Sequence, residues 1–164
     1  MKKIFSVLTF VLLISVLLTS CGMNVPRPEI KEGEFNFSVT YEYGGEIKNV
    51  SGIYVCEYAG LSWTLDGGYS RDWSGYIKGG TSDDHIIIDT EENGNEIILV
   101  LDFYPNYFMG DSDEVSEPYI MIKDYSGEGM NVIYDVKSIE EICGAKIISW
   151  EYDEPIKNSF GRFK

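Results

Sequence analysis

Trp63, Tyr69, Trp73 and Tyr76 crowd the stretch LSWTLDGGYSRDWSGYIKGG, beside Arg71 and Asp72. Aromatic faces next to hydrogen-bonding side chains hold sugars, because rings stack on the apolar faces of pyranoses. An exposed cluster of this kind marks a binding surface. Leu61, Trp63 and Leu65 alternate as one face of a strand would, which assigns Trp63 to a core. Trp73 and Tyr76 lie among glycine, serine and charged residues, and with Tyr69 they are the candidate ligand contacts. Tyr107, in PNYFMG with Tyr104 and Phe108 nearby, would extend the surface. The competing reading of all these rings is core packing.

A second constellation is GDSDEVSE, which places Asp111, Asp113, Glu114 and Glu117 within seven positions. Oxygen ligands alternating along a loop suit calcium, a hard cation that takes about six to eight of them. The run lacks the glycine and the closing glutamate of an EF-hand loop, and a solvated acidic loop is the alternative.

Nucleophilic catalysis needs a base near a serine or cysteine, most often histidine. The one histidine, His85, stands between Asp83-Asp84 and Ile86-Ile87-Ile88 at an expected strand start, the setting of a surface imidazole. No G-x-S-x-G, H-E-x-x-H or phosphate-cradling glycine loop occurs. Paired carboxylates hydrolyse glycosides, yet among 27 acidic residues some pair always looks suitable. The expectation is a protein without enzymatic activity, and with no cofactor unless calcium binds.

The elements that must position these residues are mostly strands. In EFNFSVTYEY, Phe35, Phe37, Val39, Tyr41 and Tyr43 alternate with polar residues, which puts one face in a core and one in water. Gly44-Gly45 permits a two-residue hairpin turn into a strand from Glu46 to about Tyr58, with a bulge expected near Ser51-Gly52. Further strands are predicted at 61–65, 71–77, 85–90, 96–104, 118–123, 132–135 and 146–152, with Asn93-Gly94 as a hairpin signal. Ile97–Leu101 is apolar throughout and reads as a central strand. Ser138 and Glu141 have the spacing of a capping box, and Gly144 can close a short helix between them. Fold class follows: mainly β, an antiparallel sandwich or partly open barrel with one short C-terminal helix.

The chain has 164 residues and a formal charge of −14. That sign repels nucleic acid, which is excluded as a partner. Twelve tyrosines, eight phenylalanines and three tryptophans supply the bulk for one globular core. Cys56 and Cys143 are either a disulfide or two buried thiols; spacing alone leaves both open.

At the N-terminus, Lys2-Lys3, the apolar run from Ile4 to Leu18, and the small residues Thr19 and Ser20 have the three-part layout of a secretory signal. An uncleaved membrane helix is the alternative, although the run only just reaches the length of a span. Leu18-Thr19-Ser20-Cys21 resembles the bacterial lipobox. The resemblance implies cleavage after Ser20 and a diacylglyceryl group on the Cys21 sulfur. The thiolate is the nucleophile that takes the lipid. Residues 1–20 are then signal peptide, 21–33 the lipidated cysteine and a flexible tether, and 34–164 a single β-rich domain. FNFSVTYEYGGE, YVCEYAG and IISWEYDEPIKNSFGRFK resemble small lipoproteins or secreted proteins of Gram-positive bacteria, a group with no activity to carry over.

These readings predict a lipid-anchored domain on the outer face of the cell membrane that recognises a glycan or a surface protein. The alternative is an accessory subunit packing against another envelope protein through a sheet edge.

Overall fold

Phe35, Phe37, Val39 and Tyr41 are all buried, as their alternation requires, and the strand that carries them is the centre of the first of two sheets. The computed structural model describes residues 25–65, 67–80, 85–92, 95–112, 119–126, 129–133 and 135–161. Its strands are β1 (Arg27–Pro28), β2 (Glu32–Tyr43), β3 (Glu46–Trp63), β4 (Tyr69–Ile77), β5 (His85–Glu92), β6 (Asn95–Asp102), β7 (Tyr119–Ser126), β8 (Gly129–Ile133), β9 (Lys146–Tyr152) and β10 (Phe160–Gly161). Two short helices, α1 (Pro105–Phe108) and α2 (Val136–Cys143), lie between β6 and β7 and between β8 and β9.

The first sheet has the order β4-β3-β2-β9 and the second β5-β6-β7-β8, while β1 and β10 form a two-stranded ribbon. Every pairing is antiparallel. The arrangement is mainly β and open, not a closed barrel. Both sheets feed one core. Phe103, just after β6, packs on Phe37 and Tyr54 of the first sheet at ring distances of 4.9 and 4.6 Å. Leu99, Leu101 and Ile122 of the second sheet are fully buried in the same cluster. Gly75 lets the sheet close over Tyr54, because a Cβ there would stand 1.8 Å from the Tyr54 hydroxyl. Among the described residues, β6 lies between β5 and β7, the inner position expected for Ile97–Leu101.

Several expectations are corrected. The β2–β3 register runs unbroken from Glu32↔Glu57 to Tyr43↔Glu46, so no bulge forms at Ser51-Gly52. The irregularity in β3 falls between Tyr58 and Gly60, against β4. Residues 61–63 of the separate strand expected at 61–65 are the end of β3, which runs for 18 residues, and residues 64 and 65 lie in the turn that follows. The cap of α2 is Asp135, whose carboxylate accepts from the Ser138 N–H at 2.9 Å and from the Ser138 hydroxyl at 2.9 Å. Ser138 is therefore the capped partner and not the cap, and Gly144 ends the helix at φ +67°. α1 adds a second helix, started by Pro105, whose missing N–H costs nothing at that position.

The tether is also corrected, for its described part. Arg27–Pro28 pairs with Phe160–Gly161, and Pro28 is buried. Ile30 exchanges two hydrogen bonds with the Asn158 side chain, at 3.0 and 2.8 Å. Residues 27–33 thus belong to the domain. Cys56 and Cys143 are separate buried thiols, with the Cys143 Sγ donating to the Ile139 carbonyl at 3.1 Å. Burial pushes the Cys56 thiol up to about 12 and raises that of Cys143.

Candidate functional site

The aromatic stretch and the acidic run meet in one place. Period-two geometry puts Tyr69, Arg71, Trp73 and Ile77 on the inner side of β4. Opposite them, α1 ends in a turn where Gly110, at φ +63°, donates to the Tyr107 carbonyl and Asp111 donates its N–H to Asn106. That turn delivers the Asp111 carboxylate to the inner face of β4. Oδ2 accepts the Trp73 indole N–H at 2.7 Å, and Oδ1 accepts Nε and contacts Nη2 of Arg71. The Nη1 of Arg71 donates to the Pro26 carbonyl at 3.1 Å, and its guanidinium lies over the Phe160 ring at 4.1 Å. The Asp111 side chain is 4% exposed and that of Arg71 19%. One buried charge pair therefore ties β4, the α1 turn and both ends of the described chain.

This arrangement reverses two assignments. Trp73, the candidate ligand contact, is 7% exposed, closed in by Asp111 and by the Tyr58 ring at 5.4 Å. Trp63, assigned to the core, is 62% exposed, and Leu65 is fully exposed. Leu65 lies in the turn beyond β3, and for Trp63 the cause is the length of that strand. Its pairing with β2 ends at Glu57, and from Gly60 to Trp63 only β4 continues beside it in the sheet. Alternation is intact there, but no opposing layer covers it.

Tyr69 is 37% exposed and meets Trp63 edge to face at 5.3 Å. Tyr76, 40% exposed, points to the other side of the sheet, where its hydroxyl donates to Glu57 Oε1 at 3.3 Å. Tyr107 is half-buried and packs on Phe108 and Tyr152. The four ligand candidates Tyr69, Trp73, Tyr76 and Tyr107 do not form one surface. Among the calcium candidates Asp111 is committed to Arg71 and Trp73, while Asp113, Glu114 and Glu117 lie outside the described residues, as does Cys21. Among the described residues no cluster of three or more His, Cys, Asp or Glu is placed to hold a metal.

Two further polar features went unnoticed in the sequence. Tyr104 donates to the Tyr119 hydroxyl at 2.6 Å, and Tyr119 donates to Asp102 Oδ2 at 2.8 Å. Burial, then these two hydrogen bonds, raise the Tyr119 phenol far above its ordinary value, so it stays protonated. The second feature lies on the outward face of the first sheet. Asn36, Ser38, Glu151 and Asp153 line a groove of about 230 Å³ with Phe37 and Tyr152. Asp153 Oδ2 holds the Asn36 backbone and side-chain N–H groups at 2.7 and 2.8 Å, and Asn49 Nδ2 donates to Ser38 and Thr40 at 3.1 and 3.0 Å. Asn36, Ser38 and Thr40 are the polar partners in the alternation of β2, and Glu151 and Asp153 continue the alternation of β9; that pattern is the signal available in the sequence. Comparison of the chain with protein-family models, curated proteins and solved structures finds no match.

Proposed function

We propose that this chain is a lipid-anchored binding or adaptor module of the cell surface, held through Cys21 and recognising a glycan or protein ligand. The reading of the anchor is supported by Lys2-Lys3, the apolar run and Leu18-Thr19-Ser20-Cys21. The recognition face is the outward side of the β4-β3-β2-β9 sheet. The observation that carries it is the groove at Asn36, Ser38, Glu151 and Asp153, in which Asn36, Asp153 and Ser38 are pre-positioned by hydrogen bonds to Asp153, Asn36 and Asn49. Such a surface suits a hydroxylated ligand, because few side chains must be ordered on binding. Tyr76 offers a ring on the same face. The inner-face aromatics are no part of this site.

The test is binding of the full chain to an array of cell-wall and host glycans, repeated with Ser38→Trp, which fills the groove, and Tyr76→Ala. Binding that falls at least tenfold in Ser38→Trp with an unchanged melt supports the reading. Binding that is indifferent to both substitutions removes this face. Failure to bind any glycan, with crosslinking to one envelope protein on cells, favours the accessory-subunit role.

A further inference from the structure

We propose that the tip of the β3–β4 hairpin, through Trp63, Leu65 and Tyr69, seats in the headgroup layer of the bilayer that holds the chain. The proposal rests on the reading of Cys21 as the lipid anchor and adds an orientation to it.

Four observations converge. First, the tip is apolar, exposed and held in shape. Trp63 and Tyr69 are cross-strand partners with their rings in contact, and Leu65 stands free. The turn between them is pinned by Thr64, whose N–H donates to Gly68 O at 2.9 Å and whose Oγ1 both donates to Gly68 O and accepts from Gly68 N. A fixed turn presents its rings with little ordering cost.

Second, the chain leaves the domain toward this tip. Lys31 O accepts from Tyr58 N at 2.8 Å, and Pro26 O accepts from Arg71 at 3.1 Å. Tyr58 pairs with Trp73, whereas Arg71 pairs with Leu61, nearer the Trp63–Tyr69 pair. Traced backward from Lys31 to Pro26, the backbone runs along the hairpin toward its end. Cys21 precedes Pro26 by five residues, which span at most about 18 Å. A lipid on Cys21 holds this end of the domain against the membrane.

Third, charge is distributed to match. From Leu61 to Ser70 the sequence has a single charged residue, Asp66. Among the described residues, the end of β3 opposite the tip carries Glu42 and Glu46 at the β2–β3 turn and Glu91, Glu140 and Glu141 in a cup beside Tyr43, only partly offset by Lys48 and Lys146. An anionic leaflet repels that end and leaves the near-neutral tip to approach.

Fourth, the residue types fit the site. Tryptophan and tyrosine settle at headgroup depth, where the ring is apolar and one edge remains wet, and leucine reaches deeper. Seated this way, the 18-residue β3 projects away from the bilayer and carries the groove of the first sheet outward.

The experiment uses the processed full chain in vesicles of phosphatidylcholine and phosphatidylglycerol, with or without brominated acyl chains that quench tryptophan. The other tryptophans, Trp73 and Trp150, are buried and half-buried within the domain. Quenching in the wild type that is lost in Trp63→Phe is the expected result. Equal quenching in both proteins overturns the proposal, as does absence of quenching when mass spectrometry finds the lipid on Cys21. If Trp63→Ala abolishes glycan or protein capture while Trp63 stays unquenched, the tip is a ligand site and the proposal fails. A chain without lipid on Cys21 removes the anchor itself, and this inference with it.

Discussion

Trp73 donates its indole N–H to Asp111 Oδ2 across 2.7 Å, and the other oxygen of that carboxylate holds Arg71. Among the described residues, Asp111 is the carboxylate that balances the guanidinium beside it. Asp111→Ala leaves a largely buried arginine without its counter-charge, a change that costs about 3 kcal/mol or more. For a domain of this size the melting midpoint should fall by about 6–12 °C. Calcium should gain nothing from Asp111, since binding there would have to displace Arg71. A calcium-dependent rise that disappears in Asp111→Ala would show the carboxylate to be a metal ligand after all.

The exchanged environments of the two hairpin tryptophans make a direct comparison. Trp73→Ala empties a buried site and should cost about 3–5 kcal/mol. Trp63→Ala removes an exposed ring that meets Tyr69 edge to face, and should cost about 1 kcal/mol or less. Urea unfolding of the two variants decides the matter; equal losses would contradict the overhang of β3.

Tyr58 packs its ring on Trp73, but its buried hydroxyl has no hydrogen-bond partner among the described residues. Removing an unsatisfied polar atom while keeping the ring relieves its desolvation cost, of about 1–3 kcal/mol. Tyr58→Phe should therefore match or exceed the wild type in stability. A loss of more than about 1 kcal/mol in chemical denaturation would mean that the hydroxyl has a partner.

Cys56 predicts an alkaline limit. Its thiol titrates at about 12 in the folded chain against 9.0 for an ordinary thiol. Between those values the unfolded chain has released the proton and the folded chain keeps it. Stability is therefore fully present below about pH 9 and falls by about 1.4 kcal/mol per pH unit above it. Cys56→Ala should lack that component of the slope, read from midpoints measured between pH 8 and 11. Parallel curves for the two proteins would refute the assignment.

Much of the architecture was open to inspection in the sequence because it is local. The alternation in EFNFSVTYEY, the glycine pair that turns β2 into β3, and Gly144 at the end of α2 act through neighbours two to four positions away, and each is found where expected. What surrounds a strand face is not local. Leu61, Trp63 and Leu65 obey the same period as Phe35, Phe37 and Val39, yet only the latter have a second sheet opposite. The partnership of Trp73, Arg71 and Asp111 spans 38 to 40 positions and depends on where α1 turns. Periodicity determined which side chains share a face; only the extent of the opposing layer, set by tertiary packing, decided which of those faces meets water.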